Sequence, residues 1–411
     1  MALSLQRYTL YKNDPTTSLN RLLKERLAKE NERSMSIAIE KLDHLPENLI
    51  VEILSRLPVK DLLQFKSVCK SWCSIISSPA FASKHLKNYY YSNNDTGRSC
   101  LLVQFPIPYA EHEVYELLVD ETPRVLADEV LAYMPKSNSY VCGPCDGIYY
   151  MFHCCRRERA LWNPAINEFR PLPTIISRPD LPANLTYENY EVYGFGLDPI
   201  TRDYKVVVVK GYWNTLNEED SYLNDPISVL VYSLRTNLWK YCGDLRRPYN
   251  LEVNTCYIYV NGCCYWFGSY DSRDEVIISF DLAIDTFKEM DVPDYAQPSS
   301  KCLGMYDDSL AFMSLHESEK NFDVWTLKEG RWTKKLSVGP FPDVWRPLGH
   351  SMDNKLLLQC HDGGLGLLDP DTQEIKDLAF QHTWCAGAFA YMESLVSIKD
   401  KNAEEVEAGN I

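Results

Sequence analysis

Residues 45–86 read LPENLIVEILSRLPVKDLLQFKSVCKSWCSIISSPAFASKHL, and they pack three short amphipathic helices into about forty residues. Pro46 opens the first helix, where a missing N–H costs nothing, and Glu47 beside it favours the positive helix terminus. Leu49, Ile50, Ile53, Leu54 and Leu57 recur at the spacing of one helical face, and Pro58 ends the run by restricting Leu57 and clashing with a further turn. Leu62, Phe65, Val68 and Cys69 make a second stripe, Trp72, Ile75 and Ile76 a third, and Ser77-Ser78-Pro79 closes the set with turn residues. A unit this small leaves apolar surface uncovered, so a helical partner or a second domain is expected to complete it.

Ahead of this stretch, residues 18–33 place Leu19, Leu22, Leu23 and Leu27 on one face of a charged surface helix. The whole chain has 411 residues and 45% hydrophobic content, enough for two or three domains with ample core. No run of eighteen apolar residues exists, and the opening MALSLQRYTLYK lacks the apolar core of a secretory signal, so a cytoplasmic or nuclear protein without a membrane span is expected. Fourteen cysteines spread from Cys69 to Cys385 then read as reduced buried thiols, and the sequons at Asn94 and Asn184 carry no meaning. Net charge is +5 over residues 1–90 and −20 over the remainder, which disfavours nucleic acid and can steer a basic protein partner.

Beyond Asn88 short β-rich runs alternate with Gly, Pro, Asn and Asp, and an eight-residue hairpin repeats five times. Its copies are Trp162–Phe169 (WNPAINEF), Tyr232–Trp239 (YSLRTNLW), Phe280–Phe287 (FDLAIDTF), Trp325–Trp332 (WTLKEGRW) and Leu368–Ile375 (LDPDTQEI). Starts lie 70, 48, 45 and 43 residues apart, the range of a four-stranded propeller blade, with the longest gap absorbing an inserted loop. The turn pairs Asp146-Gly147, Asn261-Gly262, Asp307-Asp308 and Asp353-Asn354 precede the first, third, fourth and fifth copies. About six blades follow from this period, with closure expected where Leu101–Phe105 pairs with strands around Ala388–Ile398. The fold class is thus α+β and multidomain, a small three-helix unit followed by an all-β propeller-like domain.

The segment around Leu45-Pro46, Leu57-Pro58 and Val68–Trp72 (VCKSW) resembles the F-box. The carboxyl region resembles the kelch-like F-box-associated domain of type 1 in plant F-box proteins. The resemblance is carried by Gly143–Gly147 (GPCDG), Trp162–Ala165 (WNPA), Tyr193–Asp198 (YGFGLD), Asp203–Val207 (DYKVV), Phe280-Asp281-Leu282 and Trp325-Thr326-Leu327. It divides the chain into an extension at 1–43, an F-box at 44–90, a substrate-binding domain at 97–400 and an acidic tail at 401–411. It departs from the family's usual start by the 44 residues ahead of Leu45. The resemblance implies a non-catalytic substrate receptor, bound to a Skp-type adaptor and through it to a cullin-RING ubiquitin ligase. Leu45, Pro46, Leu49, Ile53, Leu57, Pro58, Leu62, Val68, Cys69 and Trp72 are the implied adaptor face. The S-locus group is the most similar branch, which implies action in pollen against basic pistil ribonucleases; a stress or immunity regulator is the rival target.

Residues 211–226 break the repeat, and there Tyr212 and Trp213 with Glu218, Glu219 and Asp220 are candidate substrate contacts. Cys142-Gly143-Pro144-Cys145 has the letters of a redox motif, but turn and strand follow it where that chemistry needs a helix terminus. Adding His153, Cys154 and Cys155 suggests zinc, yet adjacent residues of a strand point to opposite faces. Gly194-Phe195-Gly196 and Gly363–Gly366 lack the context of a phosphate loop, and no nucleophile has a recognisable base. No catalytic residue, metal or cofactor is expected; the other class to weigh is a lectin-like or enzymatic propeller with an F-box appendix.

Overall fold

A computed structural model gives the structure of the protein. It describes residues 46–96, 100–105, 114–119, 122–125, 139–153, 156–175, 185–186, 191–211, 213–214, 227–245, 250–251, 258–269, 275–293, 300–316, 318–350, 355–378 and 387–399. The helix read at 18–33 and the segments 1–43 and 401–411 lie outside them. The chain divides into two compact units, 1–57 and 58–411.

In the first unit, helix α1 spans Glu47–Leu54. Pro46 is its N-cap, with φ −55° and ψ 141°, one place ahead of the position expected for it. In the second unit, α2 spans Val59–Phe65, α3 Lys70–Ile76 and α4 Pro79–Thr96, so four helices stand where three were read. Ser77-Ser78-Pro79 both stops and starts a helix. Ser78 Oγ accepts the Phe81 amide at 3.2 Å and Pro79 takes the first helical position, the two signals that open a helix. Val68 and Cys69 fall outside α2, and Cys69 instead caps α3, its Sγ accepting the Trp72 amide at 3.4 Å.

Strands dominate the rest of the second unit among the described residues. Among the described residues five sheets are regular four-stranded blades, against the six or so expected, and a five-stranded sheet takes the remaining place with its first position divided between Asn250–Leu251 and Ile258–Val260. The expected closure is present: Leu101–Phe105 pairs antiparallel with Gly387–Ala390, Leu101 opposite Ala390 and Gln104 opposite Gly387. A late strand thereby completes the earliest sheet and removes an open edge. Apolar clusters join successive sheets around the ring. They include Leu102 with Trp162, Tyr150 with Phe195, Val207 with Trp266, Phe267 with Phe312, Met313 with Leu358, and Leu101 with Leu357.

The repeated hairpin has a physical basis. Its two large ends face each other across the strands in Trp162 and Phe169, Tyr232 and Trp239, Phe280 and Phe287, and Leu368 and Ile375. Its second residue caps the turn: Asn163 Oδ1 accepts the Ala165 amide at 3.0 Å, Asp281 Oδ1 that of Ala283 at 2.9 Å, Asp369 Oδ1 that of Asp371 at 3.0 Å. Its sixth residue, Asn167, Asn237, Asp285 or Gln373, adopts a left-handed φ of 51–58°. The fourth copy departs from the others. There Glu329 and Gly330, at φ 50° and 74°, form a two-residue turn, so Trp325 lies opposite Lys334 and Leu327 opposite Trp332. Equal letter spacing therefore hides two registers. Asp146-Gly147, Asn261-Gly262 and Asp307-Asp308 have positive φ at both positions, the geometry of a primed hairpin turn; Asp353-Asn354 lie outside the described residues.

The Tyr193–Leu197 stretch also becomes intelligible. A Cβ at Gly194 would sit 2.7 Å from the Trp266 ring, and one at Gly196 would overlap the Tyr259 ring. Both aromatics come from the neighbouring sheet and donate into the strand that carries the glycines. Trp266 Nε1 reaches the Tyr193 carbonyl and Tyr259 Oη the Leu197 carbonyl, each at 2.7 Å. Only a strand without side chains at those two places admits rings so close.

Candidate functional site

The helices put apolar side chains in water. On α1, Leu49 and Ile53 are 46% and 43% exposed, and their separation of four residues puts them on one face. Leu63 on α2 is 37% exposed and lies outside the adaptor face that the resemblance implies. Its signal is its place beside buried Leu62, on the other side of the helix. Pro46, Pro58 and Cys69 are also exposed, while Leu57 and Val68 are half-buried. Leu62 and Trp72 are buried, and Trp72 meets the Phe65 ring edge-on at 5.5 Å. These two hold the helices together, while Leu49 and Ile53 are on display. Leu45 lies outside the described residues.

An F-box domain model matches residues 42–84, and a model of the F-box associated beta propeller domain matches residues 95–365. The chain belongs to the F-box proteins with an associated β-propeller. Among curated relatives, an F-box/kelch-repeat protein of Arabidopsis thaliana is 28% identical over 380 residues, covering 87% of this chain and 96% of the relative. An F-box protein of the same plant is 27% identical over 399 residues, covering 89% and 87%. Among solved structures, TolB from Acinetobacter baumannii is 11% identical with a TM-score of 0.44, over 76% of this chain and 72% of that one.

In this F-box protein the strands of each sheet run antiparallel, so its loops sort to two ends of the propeller. Turns 146–147, 198–203, 261–262 and 307–308 share one end with the repeated hairpins; the opposite end carries 156–157, 213–214 and 318–321. At that opposite end Trp213–Asn214 pairs with Leu185–Thr186 as a two-stranded ribbon, so the backbone of predicted contact Trp213 is built into regular structure. Tyr212, Glu218, Glu219 and Asp220 lie outside the described residues. A buried ionic cluster supports the strand ends below the ribbon. Glu191 accepts from Arg159 at 2.6 Å, from Lys210 at 2.9 Å and from the Tyr193 hydroxyl at 3.0 Å, and the Arg159 guanidinium lies 4.6 Å from the centre of the Phe152 ring. Burial, reinforced by repulsion from Arg159 and Arg157, pulls the Lys210 ammonium down to about 7.

The Cys142–Cys145 motif has a different character from a redox site. Both residues lie on strand Ser139–Cys145 and pack in the core with Ile148 and Phe195. Burial, with Asp146 adding repulsion, pushes the Cys145 thiol well up, the reverse of what a nucleophilic thiolate needs. His153 accepts the Arg156 amide at Nδ1, 3.1 Å away, and so serves a turn; Cys154 and Cys155 lie outside the described residues. Among the described residues no group of three His, Cys, Asp or Glu side chains is placed to hold a metal. None of the described helices is long and apolar enough to cross a membrane.

Proposed function

We propose that this F-box protein is the target-recognition subunit of an SCF-type ubiquitin ligase. Its helices dock on a Skp-type adaptor and through it on a cullin-RING ligase, and its propeller holds a protein to be ubiquitinated and degraded. The observation that carries the reading is an F-box whose Leu49 and Ile53 stand exposed, ahead of a propeller of the F-box-associated family in the same chain. Its contribution to the reaction is proximity. Holding a target lysine beside a charged ubiquitin carrier converts an encounter between molecules into one within a complex, and asks no chemistry of this chain. A cytoplasmic place of work, with the nucleus included, accords with this role.

The finer reading is a pollen S-locus factor that marks basic non-self ribonucleases. The resemblance of the sequence and a net charge of −20 beyond residue 90 support it, since an acidic domain attracts basic proteins. Affinity purification from plant cells with the proteasome inhibited tests both levels, with wild type beside Leu49→Ala/Ile53→Ala. Adaptor and cullin are expected with wild type alone, and target candidates with both. Absence of adaptor from the wild-type sample would sink the ligase reading; absence of any ribonuclease from pollen samples would remove the S-locus one.

A further inference from the structure

The segment 391–399 forms neither helix nor strand, yet Tyr391, Met392, Leu395 and Ile398 are buried. Such a stretch near a chain end frays unless it is tied down. Here the ties are many. The Tyr391 amide donates to the Cys100 carbonyl at 2.7 Å, and Asn163 Nδ2 donates to the carbonyls of Ser394 and Val396 at 3.1 and 2.9 Å. Glu168 Oε2 accepts the Ile398 amide at 2.9 Å, and Arg170 donates to the Ile398 carbonyl at 3.0 Å. All of these partners belong to the propeller or to the entry of its first strand.

Glu393 reaches elsewhere. Its Oε2 accepts the amide of Val59, the first residue of α2, at 2.8 Å across 334 positions of sequence. Helix α2 has need of such a partner. Its N-cap is Pro58, which offers no side-chain hydrogen bond where Ser, Asp or Asn would ordinarily satisfy a first-turn amide. A carboxylate brought from the carboxyl end supplies a charge-assisted bond in its place. The contact also closes a ring. Helix α4 leads along the chain to Cys100, Cys100 accepts from Tyr391, and two residues later Glu393 returns to α2.

We propose that residues 391–399 are a clasp whose Glu393 carboxylate holds α2 to the propeller, so that the carboxyl segment, and not the covalent connection at 97–100 alone, fixes the direction in which these helices leave the propeller. Glu393 is a positioning residue. Under the ligase reading, on which only this consequence rests, a fixed direction decides which lysines near the propeller come within reach of the ubiquitin carrier.

Hydrogen exchange on the full chain tests the clasp, comparing wild type with Glu393→Ala and with Glu393→Gln, which retains an acceptor oxygen. Amides of residues 59–65 should exchange about tenfold faster in Glu393→Ala, from loss of a bond to a charged group, and recover most of their protection in Glu393→Gln. Strands Ile148–His153 and Glu158–Asn163 should stay unchanged. Unaltered exchange at 59–65 overturns the clasp, and so does equal acceleration in the propeller strands, which would make Glu393 a general stability residue. In a reconstituted ligase, Glu393→Ala should keep adaptor affinity within twofold while changing which lysines of the chain acquire ubiquitin; an unchanged pattern overturns the positioning role. Failure of wild type to bind adaptor removes the ligase reading and leaves the exchange result standing.

Discussion

The outer face of α1 and the seams of the propeller treat large apolar side chains in opposite ways. In the propeller Trp162, Trp266, Phe280 and Phe312 are at most 1% exposed, each lodged in a seam between sheets. In the helices Leu49 and Ile53 remain nearly half exposed on one face of α1. The seams of a closed ring bury their apolar surface between sheets, whereas two apolar side chains on one face of a short helix stand in water, as do Ile200 and Leu238 at or beside turns of the propeller. The same residue type therefore lies against protein in the seams and against water on this face of α1, and only its surroundings tell the two apart.

Substitutions can break this contrast, beginning with the largest effect. Trp266→Ala removes a seam residue and the indole bond to the Tyr193 carbonyl, and should cost about 3–5 kcal/mol in denaturant unfolding. Leu49→Ala/Ile53→Ala should change the unfolding free energy by less than about 0.5 kcal/mol yet weaken adaptor binding at least tenfold, about 1.4 kcal/mol, in calorimetry. Equal losses of stability in the two experiments would erase the distinction.

Lys210 sharpens the contrast through pH. Its folded value near 7 lies below that of an unfolded lysine, so between about pH 7 and 10 the unfolded chain binds more protons and stability rises with pH. Relative to Lys210→Met, wild type should gain about 2 kcal/mol between pH 7 and pH 9 in paired urea titrations. The smallest effect concerns the exceptional hairpin. Glu329→Asn, at a left-handed position of a two-residue turn, should stabilise by about 0.5 kcal/mol. Loss of stability there would contradict the register that sets Leu327 opposite Trp332.

Much of the propeller was legible because hairpin chemistry is local. A side-chain acceptor at Asn163, Asp281 or Asp369 and a left-handed residue four places later leave a mark within eight letters. The closing pair, Leu101 with Ala390, was accessible by a different route, since an open sheet edge calls for a partner. The register of the fourth copy is not legible because WTLKEGRW keeps the spacing while Glu329-Gly330 shortens the turn, and spacing alone carries no register. Ser78-Pro79 was read as an end because the same residues stop one helix and start the next. Among the implied adaptor residues, a helical stripe marked Leu49, Ile53, Leu62 and Trp72 alike; periodicity finds an apolar face but does not say whether protein or water lies against it. Glu393 left no signal at all, since its partner is 334 positions away.

Closure through Gly387–Ala390 also imposes an order on biogenesis. The helices leave the ribosome early, but strand Leu101–Phe105 waits for a partner made almost 290 residues later. At about 5–20 residues per second that interval is roughly 15–60 s, during which the ring stands open on the translating ribosome. Nascent chains arrested before Gly387 should therefore remain protease-sensitive in the first sheet, and become resistant once that strand clears the exit tunnel. A closed ring would be the last property this protein acquires, long after its helices have left the ribosome.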